Sequence, residues 1–265
     1  MYLTIITLPL LAAIASGFLG RKIGTAGSHI VCSLTITLTL VLSLVAFYEV
    51  GLASSPVSIS VGCWLESELL YLSWGFLFDP LAVSMLLPVL IVSTLVILYS
   101  VGYMKGDPHQ QRFFAYLSMF TFFMILLVTG DNYAILFIGW ECVGITSYLL
   151  ISFWYTRVQA TKSAIQAIVM NRIGDWGLLI GLFGLFWLAG ALDYAATFSI
   201  TSIAHSDLVT MIGLGFLIGA MGKSAQIGLH VWLPQAIDLI LPSFVVRRTI
   251  ITLPYAGNPL SEGKL

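Results

Sequence analysis

The sequence predicts an all-α polytopic membrane protein with about seven transmembrane helices. Three observations predict it. Of 265 residues, 59% are hydrophobic and 9% charged, whereas soluble domains carry about 25% charged residues. Apolar runs recur at the length of roughly 20 residues that one bilayer crossing requires, and only helices satisfy their own backbone groups in lipid. The charges between those runs sort by sign onto alternate sides.

The runs fall at about 2–20, 29–50, 81–104, 113–129, 134–154, 163–189 and 208–229. The first resembles a secretory signal, with Ala13-Ile14-Ala15 in the place of a cleavage site. A signal carries its positive charges before the apolar run, and here Arg21 and Lys22 follow it, so it reads as a retained helix. Between the second and third runs, Val57-Ser58-Ile59-Ser60-Val61 alternates with period two, which predicts a short strand or hairpin outside the membrane. Pro80 stands at the start of the third run, and Pro88 is expected to bend it. The remaining connections are short except for 190–207.

Arg21, Lys22, Lys105, Arg112, Arg157 and Lys162 fall on the side opposite the N-terminus. Glu49, Glu66, Glu68, Asp79, Asp131, Asp193 and Asp207 fall on the N-terminal side, which carries no lysine or arginine. The positive-inside rule therefore puts the basic side toward the cytoplasm or mitochondrial matrix and the N-terminus away from it.

A net charge of −1 offers no basic surface for nucleic acid. Cys32, Cys63 and Cys142 have neither metal nor cluster spacing. Gly222-Lys223-Ser224 is excluded as a phosphate loop because Leu217 stands where that motif needs glycine. Hydrolytic, zinc and dinucleotide motifs are absent from the sequence. Aromatic residues near the run ends, such as Tyr99, Tyr103, Trp154 and Tyr155, suit an interfacial belt.

Four ionisable residues fall inside runs: Glu141, Arg172, Asp175 and Lys223. Each opposes insertion by roughly 2.5–3.5 kcal/mol at a helix centre, so they should face one another or a wet cavity. Arg172 and Asp175 are three apart on one helix and can neutralise each other. Glu141 and Lys223 need partners from elsewhere in the bundle or from water. They form either an ion pair that fixes packing or a relay, in which a carboxylate that moves relative to a poorly solvated lysine changes its protonation. Gly213, Gly215, Gly219, Gly222 and Gly228 crowd the last run, where close helix packing is the simpler reading and an unwound stretch the alternative. His230, the histidine nearest Lys223 in sequence, reads as interfacial, with proton shuttling as the alternative.

The segments Trp74-Gly-Phe-Leu-Phe-Asp-Pro-Leu81, Val128-Thr-Gly-Asp-Asn132, Gly139-Trp-Glu-Cys-Val-Gly144, Asn171-Arg-Ile-Gly-Asp175, Gly222-Lys-Ser-Ala-Gln226 and His230-Val-Trp-Leu-Pro234 resemble the chain 5 family of antiporter-like membrane subunits of NADH–ubiquinone oxidoreductase, respiratory complex I. The resemblance runs in order over about residues 1–237, and its wording is similar to mitochondrial members. No transit peptide precedes the first run, as expected of a subunit made inside the organelle.

The resemblance implies proton translocation in the inner mitochondrial membrane, with the N-terminus on the intermembrane-space side. It implies that Glu141 and Lys223, the latter on a broken helix, form the switch of a half-channel, and that Arg172 and Asp175 couple neighbouring units. His230 is carried with them as a site residue. The implied partners are the bilayer and other complex I membrane subunits. No cofactor is expected in this chain: NADH, FMN, the iron–sulfur clusters and ubiquinone would be handled by other subunits. Multisubunit sodium/proton antiporters share the family, so an antiporter component is the alternative, and a non-transporting fragment another.

Residues 1–235 form the expected transmembrane domain, an antiporter-like fold cut within its first inverted repeat. Residues 236–265 read as a divergent tail, because Gln235 and Asp238-Leu-Ile-Leu-Pro242 depart from the family pattern. A partial product, with the reading frame leaving the family sequence near Pro234, is the expectation for that end.

Overall fold

The computed structural model describes residues 1–234, apart from Leu69 and Ser202. The expected tail, residues 236–265, and Gln235 lie outside the described residues. Helices dominate, and among the described residues six are long and apolar enough to cross a membrane. The first helix, α1 (Tyr2–Phe18), is apolar but shorter than these six, and its 17 residues extend about 26 Å, near the lower limit for a span.

The connection expected over 21–28 is not a loop. Leu19 alone separates α1 from α2 (Gly20–Ala46), whose opening turn carries Arg21 and Lys22. That turn is set off by a kink at Gly24, whose φ of +78° is open to glycine at little steric cost. The chain leaves α2 through a π-helical turn, Phe47–Leu52. It then forms an antiparallel hairpin of β1 (Val57–Glu66) and β2 (Tyr71–Phe78), in register from Val57 opposite Phe78 to Glu66 opposite Tyr71, with two irregularities. The alternating run seen in the sequence is β1, which stays largely exposed. The apolar strand β2 docks instead, burying Leu72, Phe76 and Phe78.

Helix α3 (Pro80–Tyr103) starts with Pro80 in its first turn, where no N–H is required. The Asp79 carboxylate accepts from Ala82 N at 2.6 Å, and the helix continues through Pro88. Helices α4 (Gln110–Thr129) and α5 (Tyr133–Ile151) are joined by three residues. Helix α6 (Val158–Ala189) ends on Gly190 in the left-handed region, with its N–H on Phe186 O. The 190–207 connection contains a short helix, α7 (Tyr194–Thr201), before α8 (Ser206–Lys223).

The connections gather at two ends, as the alternation of charge requires. At the acidic end Asp131 N donates to Gly75 O, Asn132 Nδ2 to Ser73 O, and Tyr133 N to Leu192 O. At the basic end Arg112 lies over the Phe153 ring, Arg157 over Trp154, and Trp154 Nε1 donates to Asp107. Ile5, Phe78, Leu86, Leu90, Ile125 and Ile135 form the main core between α1, β2, α3, α4 and α5. The outer face of α6 bears Ile173, Trp176, Ile180, Phe183 and Trp187 at helical spacing, each about half or more exposed. A stripe of that kind suits lipid or a membrane neighbour rather than water.

Candidate functional site

The buried charges are positioned by two close helix contacts. On α5, Gly139 sits where a Cβ would stand 2.7 Å from the Leu127 backbone. This lets α5 lie against α4 and turns the following residues, Trp140 and Glu141, toward α6. Helices α6 and α8 meet almost backbone to backbone. A Cβ on Gly174 would be 3.0 Å from Gly222 Cα, one on Gly215 would be 2.9 Å from Gly177 O, and one on Gly219 would press on Leu178. The small-residue spacing therefore serves packing.

Helix α8 also breaks where the charge sits. It ends at Lys223, Ala225 takes φ +49°, and Gly228 takes φ +100°. The carbonyl of Gly222, left open by the helix end, accepts from the indole of the buried Trp232 at 3.1 Å. Packing glycines and a helix that ends at the buried charge are thus both present.

Two expected pairings differ in the structure. Arg172 does not neutralise Asp175. It reaches across to α5 and binds Glu141 Oε1 at 2.9 Å. The reason is burial: Asp175 is 5% exposed, pointing into the bundle, whereas the Arg172 side chain lies 54% exposed on the flank beside Glu141. Asp175 Oδ1 instead accepts from Trp140 Nε1 at 2.8 Å.

Lys223 does not pair with Glu141 either, since Arg172 already holds that carboxylate. Its Nζ donates to the main-chain carbonyl of Trp140 at 2.7 Å and stands 5.4 Å from the centre of the Trp140 ring. Gly144, one turn further along α5, makes room: a Cβ there would be 3.1 Å from Nζ. Among the described residues, Lys223 has no carboxylate at ion-pair distance.

The structure therefore brings four of the five expected residues together, in the order Arg172, Glu141, Lys223 and Asp175 around Trp140. His230 is not among them. It is exposed, lines an open cavity with Leu217, Met221 and Gln226, and has no side-chain hydrogen bond to the other four among the described residues. Trp140 and Gly144 belong to the site but carry no charge that would single them out, and the decisive Trp140 contact is made by its backbone. Asn171 is also buried, one turn before Asp175, with its Oδ1 making no hydrogen bond to the protein.

The comparisons with known proteins agree with this architecture. Residues 64–114 match the family model described as NADH-Ubiquinone oxidoreductase (complex I), chain 5 N-terminus. Residues 130–245 match NADH:quinone oxidoreductase/Mrp antiporter, TM. The NADH-ubiquinone oxidoreductase chain 5 of Rhizopus stolonifer is 63% identical over 238 residues, which is 90% of this chain and 36% of that one. The chain 5 of Mycosarcoma maydis is 60% identical over 264 residues, 99% of this chain and 38% of that one. The chain thus spans under half the length of these relatives.

Among solved structures, the Mrp complex from a Dietzia species superposes with a TM-score of 0.75 at 21% identity, covering 89% of this chain and 25% of that one. The archaeal membrane-bound sulfane sulfur reductase superposes with a TM-score of 0.73 at 20% identity, covering 89% of this chain and 47% of that one. Identities this low speak for the fold alone. Two family models in sequence order, relatives above half identity, and helices that assemble into the same fold together show that the chain belongs to the antiporter-like membrane family of NADH:quinone oxidoreductases and Mrp antiporters, in its complex I chain 5 branch.

Proposed function

We propose that this chain serves NADH:ubiquinone oxidoreductase as part of its antiporter-like chain 5 subunit and contributes to proton translocation. The observation that carries the reading is a lysine side chain inside a membrane bundle, at the end of its helix, facing two carboxylates but bonded to neither. A lysine keeps its proton when a carboxylate approaches and yields it more readily when the carboxylate retreats. Glu141 is tied to Arg172, so loosening that tie would free a carboxylate to act on Lys223. The arrangement can load and unload a proton without a cofactor of its own. In this reading the electron-transfer groups reside in other subunits, and the partners are neighbouring membrane subunits and lipid.

The proposed location is the inner mitochondrial membrane, with the basic end toward the matrix and the N-terminus toward the intermembrane space. The charge segregation supports that orientation. Identity with the chain 5 relatives, above 50%, favours the respiratory assignment over a sodium/proton antiporter. The test is to place Lys223→Met and Glu141→Gln in the assembled complex and follow NADH oxidation coupled to proton pumping. Loss or sharp reduction in both is expected. Unchanged coupled turnover in both would remove these residues from the mechanism.

A further inference from the structure

We propose that Trp140 is a positioning residue that holds Lys223 and Asp175 apart, a role that rests on the proton-translocation reading above. Three different parts of this one residue make the contacts. Its carbonyl accepts from Lys223 Nζ at 2.7 Å. Its ring face lies 5.4 Å from the same ammonium, within the range of a cation–π contact. Its indole N–H donates to Asp175 Oδ1 at 2.8 Å.

An indole N–H is a donor only, so the Asp175 oxygen that it binds must be accepting. That bond tethers the carboxylate to the tryptophan, so that it does not turn toward Lys223. The carbonyl holds the ammonium against the α5 backbone, and Gly144 leaves that approach open. The charged and titratable groups facing Lys223 are Glu141 and Cys142 from α5, and Asp175 and Arg172 from α6. Glu141 is engaged by Arg172, which leaves Asp175 as the carboxylate whose hold on Lys223 depends on Trp140.

Replacing Trp140 by phenylalanine keeps the backbone carbonyl and a smaller aromatic face, and removes the N–H. Asp175, its charge unchanged, is then free to turn toward Lys223 and close an ion pair with it, which makes the lysine harder to unload. The experiment measures NADH-driven proton pumping, per assembled complex, across the neutral and alkaline pH range. Trp140→Phe should move the optimum upward by about one pH unit, the scale of one interaction between a charge and a hydrogen bond. Asp175→Asn, which keeps the tryptophan, should move it downward. The double variant should follow Asp175→Asn.

A Trp140→Phe profile that coincides with the wild type, or that falls by one factor at every pH, overturns the proposal. If Trp140→Phe does not assemble, an unshifted Asp175→Asn profile overturns it equally. Lys223→Met separates the two levels of the argument. Normal pumping in that variant defeats the proton-path reading itself. Lost pumping in that variant with an unshifted Trp140→Phe profile defeats only the role of Trp140.

Discussion

Gly222 is the position at which packing and function meet most closely, and alanine there is the sharpest perturbation of the fold. The added methyl would stand 2.9 Å from Gly174 Cα, whereas carbon–carbon contacts settle at about 3.5–4.0 Å. The obstacle is backbone, so it cannot rotate away, and α8 must move off α6 by roughly 0.6–1 Å. Overpacking of this kind costs about 1–3 kcal/mol, offset by at most about 1 kcal/mol from the better helix propensity of alanine.

Lys223 is the next residue, and its bond to the Trp140 carbonyl, now 2.7 Å, would stretch past the roughly 3.2 Å at which such bonds weaken. A hydrogen bond to a charged group contributes about 1.5–3 kcal/mol, so the net destabilisation lies between about 1.5 and 6 kcal/mol. Gly213→Ala is the internal control, because it lies on the same helix with nothing within 4 Å of its added methyl. The assay is the coupled activity that survives graded heating of the assembled complex, with pumping measured at a permissive temperature. Gly222→Ala should lose both stability and pumping, and Gly213→Ala neither. Equal behaviour of the two variants, in either direction, would refute the argument from close contact.

Removing either partner of the Glu141–Arg172 pair leaves the other charge unpaired on the flank between α5 and α6, within a membrane span. Glu141→Gln with Arg172→Gln should therefore assemble better than the two single losses multiplied together, as a double-mutant cycle of assembled complex would read. At the acidic end, burial and the neighbouring Asp193 raise the Asp131 carboxyl above its usual range. A raised folded value contributes stability that is fully present below the unfolded value of about 3.9 and is lost as pH rises through the folded one. Asp193→Asn should thus stabilise the assembled complex at neutral pH and flatten its melting temperature against pH above about 4. Asn132 both caps α5, through Ile135 N at 2.9 Å, and holds the hairpin, through Ser73 O at 2.9 Å. Asn132→Ala should cost about 2 kcal/mol and Asp79→Ala, which loses only a cap, about 1 kcal/mol, compared as midpoints of thermal inactivation.

Most of the span architecture was legible because bilayer length and charge sign act on each segment independently of its neighbours. The kinked opening turn of α2 was not, since two basic residues beside glycines read as a loop. Nor was α7, whose eight residues carry no distinct periodicity within a polar connection. Within the site, residue identities were legible and partners were not. Arg172 and Asp175 share a helix turn in sequence, yet the depth at which each sits decides that they bond to different chains of contact, Arg172 to Glu141 and Asp175 to Trp140. The Trp140 carbonyl could not have been found from side-chain chemistry at all. The tryptophan next to Glu141 in Gly139-Trp-Glu was the available signal, and its indole gave the only hint of a polar partner.

The central claim is that Lys223, poised between the Trp140 carbonyl and the carboxylates of Glu141 and Asp175, belongs to a path that protons traverse. The most direct measurement is the number of protons moved per NADH oxidised by the assembled complex in sealed vesicles, wild type against Lys223→Met. The account predicts a lower ratio, or pumping and oxidation lost together. The same ratio at an undiminished rate of oxidation would contradict it.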